Sequence, residues 1–154
     1  MAQEFAKALK ENLTRADGYL EGPSSVVTWC VGHLVTMSYP DAYDPALKRW
    51  DAATLPFLPK QFIYEVIPGV KKQFDIVSRL LTRTDIDCIY VCTDSGREGE
   101  YIYRLVDQMA QVPADKQRRR VWIDSQTEEE ILRGIREAKP LSAYNNLSSS
   151  AYLR

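Results

Sequence analysis

With 154 residues, 20 basic side chains against 21 acidic ones and a net charge of −1, the chain is long enough for one domain with a real core and too short for a large multi-domain enzyme. The near-neutral balance excludes a global attraction to nucleic acid, so any contact with a phosphate backbone has to come from a local patch. No apolar run is long enough to span a bilayer and no signal-peptide pattern opens the chain, which places the protein in the cytoplasm. Cys30, Cys88 and Cys92 stand in apolar, strand-like contexts without partners at zinc spacing and read as buried thiols of a reducing compartment.

Phe5, Ala6, Leu9 and Leu13 share one face opposite Lys7, Lys10 and Glu11, so residues 1–13 are predicted as an amphipathic helix. Asp17-Gly18 reads as a turn, and residues 19–21 as a short edge strand ended by Gly22-Pro23. Residues 26–31 read as a buried strand, followed at once by Gly32-His33-Leu34. His33, the single histidine, stands just past a strand end, where sites are often built; a lone histidine is also commonly a structural hydrogen-bonder. Over 39–61 proline and aromatic residues exclude a long helix and predict an ordered irregular excursion, pinned to the domain surface by Trp50, Leu55, Phe57 and Leu58. Residues 62–67 follow as an edge strand closed by Pro68, and 70–81 as a helix with Phe74, Val77, Leu80 and Leu81 on its inner face.

The stretch 88–93 is short, apolar and β-branched or aromatic, which predicts a strand buried on both faces of a parallel sheet. Ile102, Leu105, Val106 and Met109 then recur at helical spacing, so Asp94, Glu98 and Glu100 fall in a strand-to-helix turn, where ligand sites of open α/β sheets lie. Carboxylates crowded this closely repel one another unless a cation neutralises them. Hard oxygen ligands beside permissive glycines suit Mg²⁺, with Asp94 and Glu98 the favoured pair. Ser95-x-x-Glu98 is equally a capping box, in which acids of the first turn gain roughly 0.3–1 kcal/mol each from the helix dipole. Spacing alone leaves both readings open.

The helix over 98–110 ends in a polar loop at 113–117, and Arg118-Arg119-Arg120 forms a basic run that either touches phosphates or is a solvated approach to a strand. Residues 121–123 read as that strand, Ser125 or Thr127 as a helix cap, and Ile131, Leu132, Ile135 and Ala138 as the inward face of the next helix, which Pro140 stops. Residues 144–154 carry a weak helical pattern.

Taken together and in order, several of these pieces resemble the Toprim domain of type IA DNA topoisomerases, of the topoisomerase III-like kind. The pieces are Gly18-Tyr19-Leu20-Glu21-Gly22, the run 27–34, Trp50 followed by Leu55-Pro56, Thr93-Asp94-Ser95-Gly96-Arg97-Glu98-Gly99-Glu100, Arg120-Val121-Trp122-Ile123 with Ser125 and Thr127, and Lys139-Pro140. The resemblance covers nearly the whole chain. It implies an α/β, Rossmann-like Toprim fold with a mostly parallel sheet flanked by helices, one partial domain over 1–154, whose acidic turn holds Mg²⁺ beside the scissile phosphate of single-stranded DNA. By position Asp94 and Glu98 match metal-site acids of the family, Arg97 the arginine that accompanies them, and His33 the Gly-His beside the site.

Three departures qualify that expectation. Gly96 stands where the family often has a second aspartate, and one carboxylate fewer is expected to weaken cation binding into the roughly millimolar range. The family's first strand, with its glutamate, is expected just before Met1, so the sheet is read as lacking it, and an open edge of this kind invites self-association. The domain with the catalytic tyrosine is expected after Arg154, and none of Tyr19, Tyr101, Tyr144 or Tyr152 stands in the matching context. The chain is therefore read as the Toprim part of a topoisomerase, inactive by itself. The alternative is a non-catalytic phosphate-binding or interaction module of the same fold. A Toprim nuclease or primase fits the 29–34 and 120–123 segments less well.

Overall fold

The structure, a computed structural model, describes residues 1–153. After the amphipathic helix α1 (Ala2–Ala8) the chain folds into an antiparallel meander of β1 (Thr14–Ala16), β2 (Tyr19–Glu21) and β3 (Val26–Thr28). α1 is shorter than its pattern because Lys10 adopts a left-handed φ of 54°, which ends the helix before Leu13. The buried strand expected over 26–31 is corrected. β3 is half-exposed throughout and among the described residues pairs with β2 alone, since a small meander is covered on one side.

β4 (Val35–Met37), which the sequence did not announce, pairs antiparallel with β5 (Tyr64–Val66), the edge strand expected over 62–67. These two strands bracket the irregular excursion. As its prolines require, that excursion contains only short 3-10 turns at Pro40–Ala42, Pro45–Lys48 and Ala52–Thr54. The carboxylates of Asp44 and Asp51 cap two of them, accepting from the Ala46 and Ala53 amides at 2.9 Å each. The expected pinning to the domain surface is not found. Trp50, Leu55 and Leu58 are 90%, 52% and 81% exposed, and Phe57 packs edge-on against Tyr43 within the excursion itself.

The second half forms the α/β part. α2 (Lys71–Leu81) buries Phe74, Ile76, Val77, Leu80 and Leu81 and leads into β6 (Cys88–Val91). α3 (Arg97–Ala110) then crosses to β7 (Gln117–Arg120), which runs parallel to β6, and β8 (Lys139–Pro140) adds antiparallel to β7 after α4 (Glu128–Arg136). α5 (Asn145–Tyr152) realises the weak pattern at the end of the chain and packs on α3. The class is α/β. The mostly parallel sheet is corrected, because among the described residues β6–β7 is the one parallel pair and the strands fall into three small sheets.

Two further readings change. β6 is buried on one face only, with Ile89 and Val91 inside and Tyr90 47% exposed on the other side. The strand after the polar loop is the basic run itself, and residues 121–123 only prolong it, through the Val121 amide bonded to the Val91 carbonyl at 3.0 Å. Apolar character pointed to 121–123, but β7 is fixed by pairing with β6 and by what its arginines reach. The larger core gathers Leu34, Val35, Phe74, Val77, Ile89, Val91, Leu105 and Val106, and a smaller one joins Phe5 and Ala8 of α1 to Val121, Ile131 and Ala138. Both abut the turn between β6 and α3.

Candidate functional site

That turn begins where β6 loses its ladder partner and ends where α3 begins, at Arg97. Thr93 Oγ1 donates to the Gly99 carbonyl at 2.8 Å and folds the turn onto the first turn of α3. The closure needs glycine at 99: a Cβ there would lie 1.9 Å from the Asp94 carbonyl oxygen. Ser95 does not cap the helix. Its hydroxyl accepts from the Ile123 amide at 3.0 Å and donates to the Ile123 carbonyl at 2.8 Å, while Gly96 holds the N-cap position with no side-chain cap, so the capping-box reading is withdrawn.

Helix geometry separates the acids. Residues two apart on a helix point to nearly opposite sides, and Glu98 and Glu100 do so. Glu100 turns inward and is fully buried, as is Arg120 of β7, whose Nε donates to the Glu100 carboxylate at 2.5 Å. Arg104 donates to the other Glu100 oxygen at 3.1 Å. The remaining Arg120 donors reach the carbonyls of Val91, Thr93, Asp94 and Val121 at 3.2, 2.6, 2.6 and 2.9 Å. This one buried guanidinium thus gathers the backbone of the acidic turn from beneath, and its ring-facing side lies 5.2 Å from the Trp122 ring centroid. Alternation along β7 puts Arg118 on the same face, where it bonds Asp107 one helical face-repeat further along α3 at 2.6 Å. Arg119 points the other way, to the Ala138 carbonyl at 3.1 Å. The basic run is therefore engaged internally, and of its two open readings the phosphate contact gains no support.

Asp94, Arg97 and Glu98 remain on the outside and are exposed. Arg97 forms no ion pair among the described residues. Gly32, at a left-handed φ of 81°, turns the loop after β3 so that His33 meets α3, and the fully buried Leu34 anchors it there. His33 Nε2 lies 2.5 Å from Glu98 Oε1, across a sequence separation of 65 residues. Its ring meets Tyr101 edge-on at 5.9 Å, and Tyr101 in turn meets Tyr152 of α5 at 5.2 Å. Tyr101 is the neighbour that sequence reasoning missed; its position three residues after Glu98, on the same helix face, was the available signal.

The electrostatics leave the phenols and thiols quiet. Burial, and then the Glu98 charge, push the Tyr101 hydroxyl above its usual range; burial does the same to Tyr152 and pushes Tyr64 up to about 12. Burial also pushes the half-buried thiols of Cys30 and Cys92 up to about 11 and about 12. The two thiols therefore stay protonated at neutral pH. Among the described residues no cluster of three or more His, Cys, Asp or Glu side chains forms a protein-only cage for a metal. Asp94 on the turn and Glu98 in the first turn of α3 are exposed carboxylates, the donor type that suits Mg²⁺, which keeps several waters and is completed by substrate phosphates.

A model of the Toprim domain matches residues 3–125. The chain belongs to the Toprim domain family. This Toprim chain is also 41% identical to DNA topoisomerase 3 of Bacillus cereus over 154 residues, 39% identical to DNA topoisomerase 3 of Staphylococcus epidermidis over 155, and 37% identical to DNA topoisomerase 3 of Bacillus subtilis over 154. Each match covers 100% of this chain and 21% of the relative, so the chain spans about a fifth of the length of the curated relatives it matches.

Proposed function

We propose that this Toprim domain is the phosphate- and Mg²⁺-handling part of a topoisomerase 3-like enzyme. Asp94 and Glu98 are its metal ligands, Arg97 its exposed cation for a phosphate, and His33 the group that orients the Glu98 carboxylate. One observation carries this reading: of the acids crowded after β6, Glu100 turns inward to a buried ion pair while Asp94 and Glu98 face the surface, Glu98 at 2.5 Å from His33 Nε2, beside a turn whose backbone Arg120 holds in place. A bound Mg²⁺ would supply a Lewis acid that tempers the negative charge of a phosphodiester in displacement. The residues do the positioning. Arg97 adds a planar donor that a phosphate can engage in bidentate fashion, and a rigid turn costs little reorganisation as charge develops.

The partner of this site is single-stranded DNA, and the compartment is the cytoplasm. The attacking tyrosine is assigned to another domain of the enzyme, because none of Tyr19, Tyr101, Tyr144 or Tyr152 stands in the family's matching context, and Tyr101 and Tyr152 pack edge-on against each other. β6 carries an open edge, paired among the described residues with β7 alone, and that edge is suited to a further parallel strand of a Rossmann-like sheet. Isolated chains can pair through it, a self-association that sedimentation velocity reads as a mass rising with concentration.

The test is a magnesium titration of the 154-residue chain followed residue by residue by NMR. Shifts centred on Asp94 and Glu98, in the roughly millimolar range and abolished in Asp94→Ala and Glu98→Ala with the fold intact, are expected. Identical titrations of both variants and the parent chain would leave the alternative, a phosphate-binding or interaction module without the metal, as the better reading. The isolated chain is expected neither to cleave nor to relax DNA, and Mg²⁺-dependent covalent attachment to DNA by this chain alone would refute the assignment of the nucleophile to another domain.

A further inference from the structure

Tyr39, Trp50, Leu55, Leu58, Phe62 and Ile63, all between residues 39 and 63, account for six of the ten exposed large hydrophobic side chains among the described residues. No residue of this stretch belongs to either core. The excursion nevertheless holds a defined shape: Asp44 and Asp51 cap its turns, and the Ile63 amide donates to the Tyr43 hydroxyl at 2.7 Å. Several of its polar and backbone groups are paired inside it while its largest apolar groups point out, the reverse of what a solvent-facing loop requires.

Charge decides between classes of occupant. Lys48, Arg49 and Lys60 are matched one for one by Asp41, Asp44 and Asp51, so the stretch is neutral and offers a phosphate backbone no net attraction. Exposed Trp and Tyr beside Arg, around a groove lined by Leu47, Leu55 and Phe57, make instead the composition of a protein–protein interface centre. The matching relatives are roughly five times as long as this chain, of which they share 21% of their length, so ample polypeptide exists to cover such a face.

We propose that the outward face of the 39–63 excursion is the seat of a second domain of the same polypeptide, one that presents an apolar surface with a pocket for Trp50. This rests on the reading of the chain as part of a longer topoisomerase 3-like enzyme. The seat is preorganised, so docking orders little new chain.

The experiment replaces the matching stretch of Bacillus cereus DNA topoisomerase 3 with this chain and compares hydrogen exchange over 46–58 in the chimera and in the 154-residue chain. Exchange slower by about ten-fold or more in the chimera is expected, since docking closes the local opening that the bare excursion allows. Trp50→Ala should lower the melting temperature of the chimera and leave that of the chain unchanged. Equal exchange in both proteins overturns the proposal. So does protection in the isolated chain that rises with its own concentration, which would make a second copy the occupant, or protection that needs a single-stranded oligonucleotide. A chimera that fails to melt cooperatively also counts against it, because a matching seat would have been met. DNA relaxation by the chimera reports separately on the acidic turn: an active chimera with an unprotected excursion sinks this inference alone, and an inactive chimera with a protected one sinks only the functional reading.

Discussion

Replacing Glu100 by alanine removes the counter-charge of a guanidinium that has no exposed surface. In the parent chain Arg120 meets that carboxylate at 2.5 Å and four carbonyls at 3.2 Å or less, and among the described residues no buried side-chain nitrogen or oxygen lacks a partner. Breaking a buried ion pair from one side costs about 3–5 kcal/mol, because the remaining charge stays buried without compensation. Out of a total stability of about 5–15 kcal/mol this is a large fraction. At about 2–4 °C per kcal/mol for a chain of this size, the melting temperature should fall by about 6–20 °C.

Scanning calorimetry and urea denaturation measure the loss. A control separates charge from scaffold. Glu100→Leu with Arg120→Met removes both charges at similar volume and should be less destabilised than Glu100→Ala. The double variant leaves the Thr93 and Asp94 carbonyls without their donor, however, so it should still bind Mg²⁺ more weakly than the parent. A Glu100→Ala chain melting within about 2 °C of the parent, less than the smallest change expected here, would refute the claim that this pair holds the acidic turn. A double variant with unaltered Mg²⁺ binding would show that the turn does not depend on Arg120.

Gly96 has extended backbone at φ 170°, and a Cβ there meets nothing within 4 Å, so Gly96→Asp restores a third carboxylate without a clash. Calorimetric Mg²⁺ titration should show several-fold tighter binding, and the new N-cap should add only about 0.2–0.4 kcal/mol of stability over glycine; unchanged affinity would mean that position 96 faces away from the cation. Gly99→Ala meets the Asp94 carbonyl at 1.9 Å from its Cβ, so it should open the turn, lower the melting temperature and remove the Asp94 magnesium shifts; an unaltered NMR fingerprint would exclude the close approach. Glu130 is held by Arg133 at about 2, below its ordinary 4.5. A depressed carboxylate stabilises the fold above 4.5 and loses that contribution as pH falls through about 2, so the urea midpoint of the parent should approach that of Glu130→Gln over this window; parallel curves would count against the pair.

The elements legible in the sequence are those that depend on near neighbours. Helical periodicity placed α2, α3 and α4, the prolines excluded a long helix from the excursion, and the jump in polarity after Val91 located the strand-to-helix turn. Each follows from contacts or steric limits within a few residues, which a pattern can carry. The acids of the candidate site were legible as a cluster for the same reason, with turn-permitting glycines beside them, while the close approach that Gly99 makes to the Asp94 carbonyl came from the tertiary structure.

Only the tertiary structure decided which acid serves which purpose. Glu98 and Glu100 look alike in a string of letters, and it is the phase of α3 against β7 that sends Glu100 to Arg120 and leaves Glu98 beside His33. The arginine run, read as either a phosphate contact or a solvated approach to a strand, became β7 because its heads reach Glu100 and Asp107 on a helix that lies across the sheet. β4 exists through a pairing with β5 between residues about thirty positions apart, and at three residues it is too short to mark itself by alternation. Long-range pairing and the direction a helix faces are properties of packing, and packing is where a buried charge finds its partner.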